Sequence, residues 1–284
     1  MEQIKPSKSG KVKVNDVNLY YELYGEGDPL VLIAGTGISC APWRVFQVPE
    51  FARRYQVLIY DHRGLGRSDK PDVHYSTRLF AQDCAGLMDA LGINKAHIMG
   101  HSMGGRVAQW LALDYPQKVR SLVLSSCGSG KYSDKLEDYP RGVPLEAALE
   151  MIEKGYEKYQ HHHWGPGFMF TDEFMKQHPE VVKKFQELIV EEVPPLKCYL
   201  RHVVARQCHE TTDLVHKIEA PTLVIVGSKD TREGGTGNHV ESSKALAEKI
   251  SNSEFVLVEG GKHGYLREMP EKGHPPILDF LSRH

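Results

Sequence analysis

No stretch of this 284-residue chain approaches the apolar length needed to span a bilayer. The opening MEQIKPSKSG is polar, lacks the hydrophobic stretch of a secretory signal, and reads as a short flexible lead-in. A surplus of one charge is missing too. Thirty-five Lys and Arg stand against 37 Asp and Glu, a formal net charge of −2, so nothing drives general nucleic-acid binding. Cysteine is scarce, scattered and odd in number: Cys40, Cys84, Cys127, Cys198 and Cys208. That argues against a disulfide framework and makes a reducing cytoplasm the expected compartment. Internal repeats and low-complexity tracts are absent. The expectation is a cytoplasmic globular protein with no membrane or nucleic-acid partner; its oligomeric state is not readable.

What is present is an alternation. Residues 11–15 and 18–24 read as a two-stranded hairpin. Short apolar runs follow at Leu30–Ala34, Val57–Tyr60, Ala96–Met99, Leu122–Leu124, Leu223–Val226 and Phe255–Val258. Continuous apolar runs bounded by Gly or Pro fit strands buried on both faces, as in a parallel sheet. Between them lie helical patterns at Thr77–Leu91, Met103–Tyr115, Glu241–Ile250 and Ile277–Leu281. The fold class is therefore α/β, a mostly parallel central sheet flanked by helices. Residues 128–215 break the rhythm with helices and loops and no convincing strand. The expected organisation is core at 1–127, an inserted helical cap at 128–215, and core again at 216–284; the rival is ordinary helical packing within the core.

Gly100-His101-Ser102-Met103-Gly104 fits G-x-S-x-G. Three fixed positions match by chance in roughly one chain in ten of this size, so context must decide. Here an apolar strand runs into the motif and a helix beginning with small residues leaves it, which places Ser102 on a strand-to-helix turn. Such a turn thrusts the serine oxygen clear of the sheet. It also aims the Met103 N–H, at a helix N-terminus, towards a developing oxyanion. A second donor is expected from the loop Ala34-Gly35-Thr36-Gly37, with Thr36 first and Gly37 next; a plain turn is the rival for either.

The acid should follow a strand later than the serine, and the base later still. After the strand at 122–124 come Ser125, Ser126, Cys127 and Gly128, with no carboxylate. After the strand at 223–226 comes Gly-Ser-Lys-Asp, ending at Asp230. His263 follows FVLVEGGK and precedes Gly264, a mobile setting at the end of the last strand. His239 is a distant second because it opens a helix, and His274 reads as the start of the final helix. In this arrangement His263 takes the Ser102 proton and Asp230 fixes the imidazole tautomer, with no metal or organic cofactor required.

With those residues in place the chain resembles the α/β-hydrolase superfamily along nearly its whole length. The motifs are A-G-T-G at 34–37, D-H-R-G-L-G-R-S at 61–68, G-H-S-M-G-G at 100–105, P-T-L-V-I-V-G-S-K-D at 221–230 and G-G-K-H at 260–263. The resemblance implies a serine-nucleophile branch of carboxylesterases, enol-lactonases and carbon–carbon-bond hydrolases acting on a small-molecule substrate. Ser102 argues against the aspartate-nucleophile dehalogenases and epoxide hydrolases. Asp61, Arg63, Gly64 and Gly66 resemble the family's structural loop. Carbon–carbon hydrolases often carry Asn before the serine; His101 stands there, which favours an ester or lactone. A hydrolase-like receptor with incidental turnover is the alternative from another class. The chain departs from the pattern in having Ala34 where His is frequent, and in the Gly-rich run after Asp230.

Other signals have plainer readings. His161-His162-His163 has no partner acid motif and reads as a solvated run rather than a metal site. Cys198 and His202, with Cys208-His209 beyond, are better explained by amphipathic helix packing than by zinc. Gly35, Gly37, Trp164 and Phe168 are candidates for the substrate pocket; the two aromatics could equally be cap core.

Overall fold

The computed structural model describes residues 4–130, 153, 155, 166–231 and 238–284. Eight strands form one sheet in the order β1-β2-β4-β3-β5-β6-β7-β8. They are β1 (Lys8–Val14), β2 (Val17–Tyr24), β3 (Asp28–Ile33), β4 (Tyr55–Tyr60), β5 (Ala96–His101), β6 (Val119–Ser125), β7 (Thr222–Gly227) and β8 (Ser253–Val258). The hairpin β1–β2 is antiparallel and joins β4 antiparallel; every other pairing is parallel.

The apolar runs are continuous because both faces of the sheet are covered. Val31 and Ile33 enter one cluster with Leu58, Ile98, Leu122 and Val224. Their neighbours Leu30 and Leu32 enter another with Val57, Ile59, Met99, Val123 and Leu223. Each such side chain contributes about 1.5–3 kcal/mol on burial. Helices Thr77–Ala90 and Met103–Asp114 pack on the first face. Ser76 caps the former, its side chain accepting the Leu79 N–H. Helix Pro270–Ser282 and the short helices Ala41–Phe46 and Val48–Phe51 cover the second.

Two expectations change. The run at Phe255–Val258 is not buried on both faces: β8 is the sheet edge, and Phe255 and Leu257 are exposed. Hydropathy alone does not distinguish an edge strand from a central one. The last helix starts at Pro270, not Ile277, and runs through Pro275 and Pro276. His274 sits inside it, its Nε2–H donating to Leu266 O (3.0 Å) and its ring packing on Phe51, which supports turns weakened by the missing proline N–H groups. The two short helices at 41–51 also escape sequence periodicity, which needs longer windows.

Between β6 and β7 the described residues form no strand. They build helices Pro166–Met169, Asp172–Gln177, Pro179–Val190 and Leu196–Gln207. Val182, Phe185 and Ile189 lie on one face of the third and share an apolar cluster with Ile38, Met169, Phe170, Tyr199 and Val203. Among the contacts that tie this layer to the core are Gly264 N–H to Met169 O (2.7 Å), Thr171 N–H to Glu268 Oε1 (2.9 Å), and His202 Nε2 with Arg63 O (2.9 Å). His161, His162, His163 and Trp164 lie outside the described residues.

The 61–68 loop is a scaffold. Asp61 accepts the Cys40 N–H (2.7 Å) on one carboxylate oxygen and the Arg67 N–H (2.9 Å) on the other. Buried Arg63 pairs with Asp83 (2.6 Å) and Asp16 (2.8 Å). His202, considered with Cys198 as a zinc pair, instead stacks on Phe80. No helix among the described residues is long and apolar enough to cross a membrane.

Candidate active site

Ser102 stands at the carboxyl end of β5 with φ 57° and ψ −121°, a backbone region that L-residues rarely occupy. The flanking glycines explain how the chain tolerates it. A Cβ on Gly100 would lie 2.2 Å from Gly104 O, and one on Gly104 would lie 2.1 Å from Ile33 O. The turn is pinned by Ser102 N–H to Ser125 O (2.8 Å) and Gly105 N–H to Ser102 O (3.0 Å). Helix Met103–Asp114 begins at the next residue.

Asp230 follows β7 and is buried; its N–H donates to Gly227 O (3.0 Å). His263 Nδ1 donates to Asp230 Oδ2 at 2.8 Å, leaving Nε2 for the other side of the ring. Sequence reasoning missed that His239 Nδ1 meets Asp230 Oδ1 at 3.0 Å. The two imidazoles stand 4.7 Å apart. Burial alone would raise the Asp230 pKa, but the two imidazoles overcome it and hold the carboxyl well below the usual range. Burial likewise pulls His263 below its ordinary value; Asp230 offsets part of this, while His239 and Arg267 add to it.

Asp230, His239 and His263 are also the one group among the described residues with the donor set of a metal site, their ligand atoms lying within 4.8 Å. Both Nδ1 atoms are already engaged by the carboxylate, the pattern of two imidazoles sharing one acid.

Ser102 and His263 open on one narrow cleft, lined also by Gly35, Thr36, Ser39, Trp43, His101, Met169 and Arg267. No hydrogen bond links Ser102 Oγ to His263 in this geometry; such contacts often tighten only once substrate is bound. Gly35 approaches Ser102 closely: a Cβ there would sit 3.3 Å from Ser102 Cβ. Thr36 lies on the cleft, at the loop that follows β3. Met103 is buried beneath the elbow, so only its backbone N–H, in the first turn of its helix, could serve the site.

Gly37 has φ 67°, turns the loop, and is not among the residues that line this cleft. Phe168 also lies outside that lining, but its ring rests on His263 with centroids 4.6 Å apart. Met169 lines the cleft, and the wall that sequence reasoning overlooked comes from Trp43 and Arg267. His101 contributes a ring 4.7 Å from His263, tied through Nδ1 to Ser125 Oγ (2.9 Å), which in turn meets Tyr265 OH (2.7 Å).

Residues 28–266 match the family described as alpha/beta hydrolase fold. A protein of Azorhizobium caulinodans named "Putative carbamate hydrolase RutD" is 28% identical over 269 residues, covering 94% of this chain and 96% of that one. Among solved structures, "Est816 as an N-Acyl homoserine lactone degrading enzyme" superposes with a TM-score of 0.78 at 28% identity, covering 95% of this chain and 100% of the other. The enol-lactonase from Burkholderia xenovorans superposes with a TM-score of 0.81 at 24% identity over 96% and 100%, a likeness of fold.

Proposed function

The chain belongs to the α/β-hydrolase family and is a hydrolase; on that premise we propose that it cleaves a small carboxylic ester or lactone through an acyl-enzyme on Ser102. One observation carries the reading. A serine held at positive φ on a strand-to-helix turn shares a cleft with an imidazole whose far nitrogen is bonded to a buried carboxylate.

In the proposed reaction Ser102 Oγ attacks the carbonyl carbon as His263 Nε2 takes its proton. The oxyanion accepts the N–H groups of Met103 and Thr36. As the intermediate collapses, His263 returns the proton to the departing alkoxide, which leaves as alcohol, or stays attached when the substrate is a lactone. A water, deprotonated by the same imidazole, then attacks the acyl-enzyme and frees Ser102. Asp230 holds the tautomer and stabilises the imidazolium throughout. None of these steps calls on a cofactor.

We extend the proposal to the segment 128–215 as a helical cap over the nucleophile. Its support is Met169 on the cleft and Phe168 against His263. Phe168→Ala should then change the ranking of short and long acyl esters more than it changes the melting temperature. Unchanged ranking with lowered stability would make Phe168 cap core. The unpaired cysteines support a cytoplasmic placement.

A carbamate is the second reading, since a relative 28% identical over nearly the full length bears that name. The same serine chemistry would pass through a carbamoyl-enzyme. A panel of p-nitrophenyl esters, N-acyl lactones, an aryl carbamate and a dienoate diketone separates these classes. Ester or lactone turnover that disappears in Ser102→Ala supports the first reading. Turnover confined to the carbamate or the diketone overturns it.

A further inference from the structure

Four residues past His263, on the short helix Tyr265–Glu268, Arg267 borders the same cleft as Ser102. It is 7% exposed, and its Nε and Nη1 are buried without a hydrogen-bond partner. The adjacent carboxylate, Glu268, is occupied elsewhere: it accepts the Thr171 N–H (2.9 Å) and the Lys262 N–H (3.4 Å). What surrounds the guanidinium is aromatic. Its carbon lies 4.9 Å from the Phe185 ring centroid, 5.8 Å from Trp43 and 5.9 Å from Phe46.

Ring faces attract a cation but leave its in-plane N–H groups unsatisfied. Buried Arg63 shows the usual solution, a fork of contacts to Asp83 and Asp16. An unpaired guanidinium is costly to keep out of water, and a cleft position allows the missing partner to arrive with a ligand. Two more buried polar atoms lack partners on residues of this same cleft, Thr36 Oγ1 and His101 Nε2. Three unsatisfied groups around one nucleophile describe a site built for a polar ligand. The single cation among neutral rings suits a planar monoanion, which a guanidinium grips through two parallel hydrogen bonds.

We propose that Arg267 is a carboxylate-binding residue, and that the substrate carries a free carboxylate beside its scissile ester or lactone carbonyl. This rests on the ester or lactone reading of the site. The guanidinium also disfavours protonation of His263 and His101. A bound carboxylate would offset that influence, so the anionic substrate would meet a stronger base than the free enzyme holds.

The test compares mono-p-nitrophenyl glutarate with its methyl ester, which differ in the distal charge. Wild type should favour the acid in kcat/KM by about tenfold or more, and Arg267→Met should abolish that preference, mainly through KM. Arg267→Lys should restore part of it, because it returns the charge without the fork. Equal use of the two esters by wild type, or a parallel loss on both in Arg267→Met, overturns the proposal. If the Met variant does not fold, the wild-type ratio and the Lys variant decide.

Glutarate binding measured by calorimetry separates this proposal from the reading beneath it. Binding that Arg267→Lys weakens, in a protein that hydrolyses neither ester, upholds the carboxylate subsite and overturns the ester reading. Hydrolysis of both esters without preference, and without glutarate binding, does the reverse. Tighter binding of inorganic phosphate than of glutarate would also overturn the carboxylate assignment.

Discussion

The two halves of the candidate site are held in different ways. At the nucleophile, backbone sterics do the holding: Ser102 keeps φ 57° because Gly100 and Gly104 leave no side chain in spaces where a Cβ would come within 2.2 Å and 2.1 Å of carbonyl oxygens. At the acid and base, side-chain charge does the holding: one carboxylate draws in His239 at 3.0 Å and His263 at 2.8 Å, all three buried. A backbone device is local and leaves its mark in consecutive residues. An electrostatic device is assembled from separate loops and leaves little mark in any of them.

The nucleophile half breaks most completely by removing one atom. Ser102→Ala should lower kcat by about a thousand-fold to a million-fold with the fold intact. A fluorophosphonate should label Ser102 in wild type and nothing in the variant. Full activity in the variant, or labelling of another serine, would dismiss the elbow as a catalytic device.

The electrostatic half breaks by neutralising its centre. Asp230→Asn should lower kcat about ten-thousand-fold, because the amide favours the wrong imidazole tautomer. Its loss should fall short of the most severe loss conceivable at Ser102, since binding and oxyanion stabilisation persist. Asp213→Asn, on an exposed position, is the control. An inactive Asp213 variant beside a working Asp230 variant would move the acid.

The same contrast explains what could be read in advance. Ser102, Asp230 and His263 were legible because each follows a strand end marked by glycines, and strand ends of a parallel sheet converge. Two of them do meet, at 2.8 Å. His239 was passed over because it opens a helix, yet that position is what brings it to Asp230: the helix N-terminal N–H groups of His239 and Val240 donate to Asp230 O at 3.1 Å and 3.3 Å. Arg267 and Trp43 carry no motif, and only folding carries them from opposite ends of the chain to one cleft. The sheet was legible in its centre, where both faces are apolar, and misread at β8, whose composition does not record that no strand lies beyond it.

A steric device should fail through stability. Gly104→Ala places a Cβ against Ile33 backbone, which cannot yield as a side chain could. The cost should be about 3 kcal/mol, at the upper end for overpacking. Thermal denaturation checks it, and activity should fall with the folded fraction. A melting temperature within a degree of wild type would mean that the elbow has slack and that sterics are not what holds Ser102.

The smallest expected effect probes the shared carboxylate, and its sign can be worked out. Burial, with His239 and Arg267, keeps His263 below its ordinary pKa, while Asp230 pulls the other way. His263 acts as base only when neutral, so the acid limb of kcat/KM should lie below about 6.5, the unperturbed imidazole value. His239, its ring 4.7 Å away, is among the groups that hold the His263 pKa down. Removing that imidazole therefore raises the His263 pKa and moves the acid limb to higher pH. His239→Leu does this and also removes a donor from Asp230 Oδ1, so kcat at the plateau should fall as well, by about threefold to tenfold. His239→Gln removes the imidazole but keeps an N–H able to reach the carboxylate, so it should shift the limb upward with kcat nearly retained. The pH profiles of the two variants thus separate the ring's electrostatic influence from positioning. A limb that stays in place in both, with normal turnover, would mean that Asp230 serves His263 alone and that His239 is only the first residue of a helix.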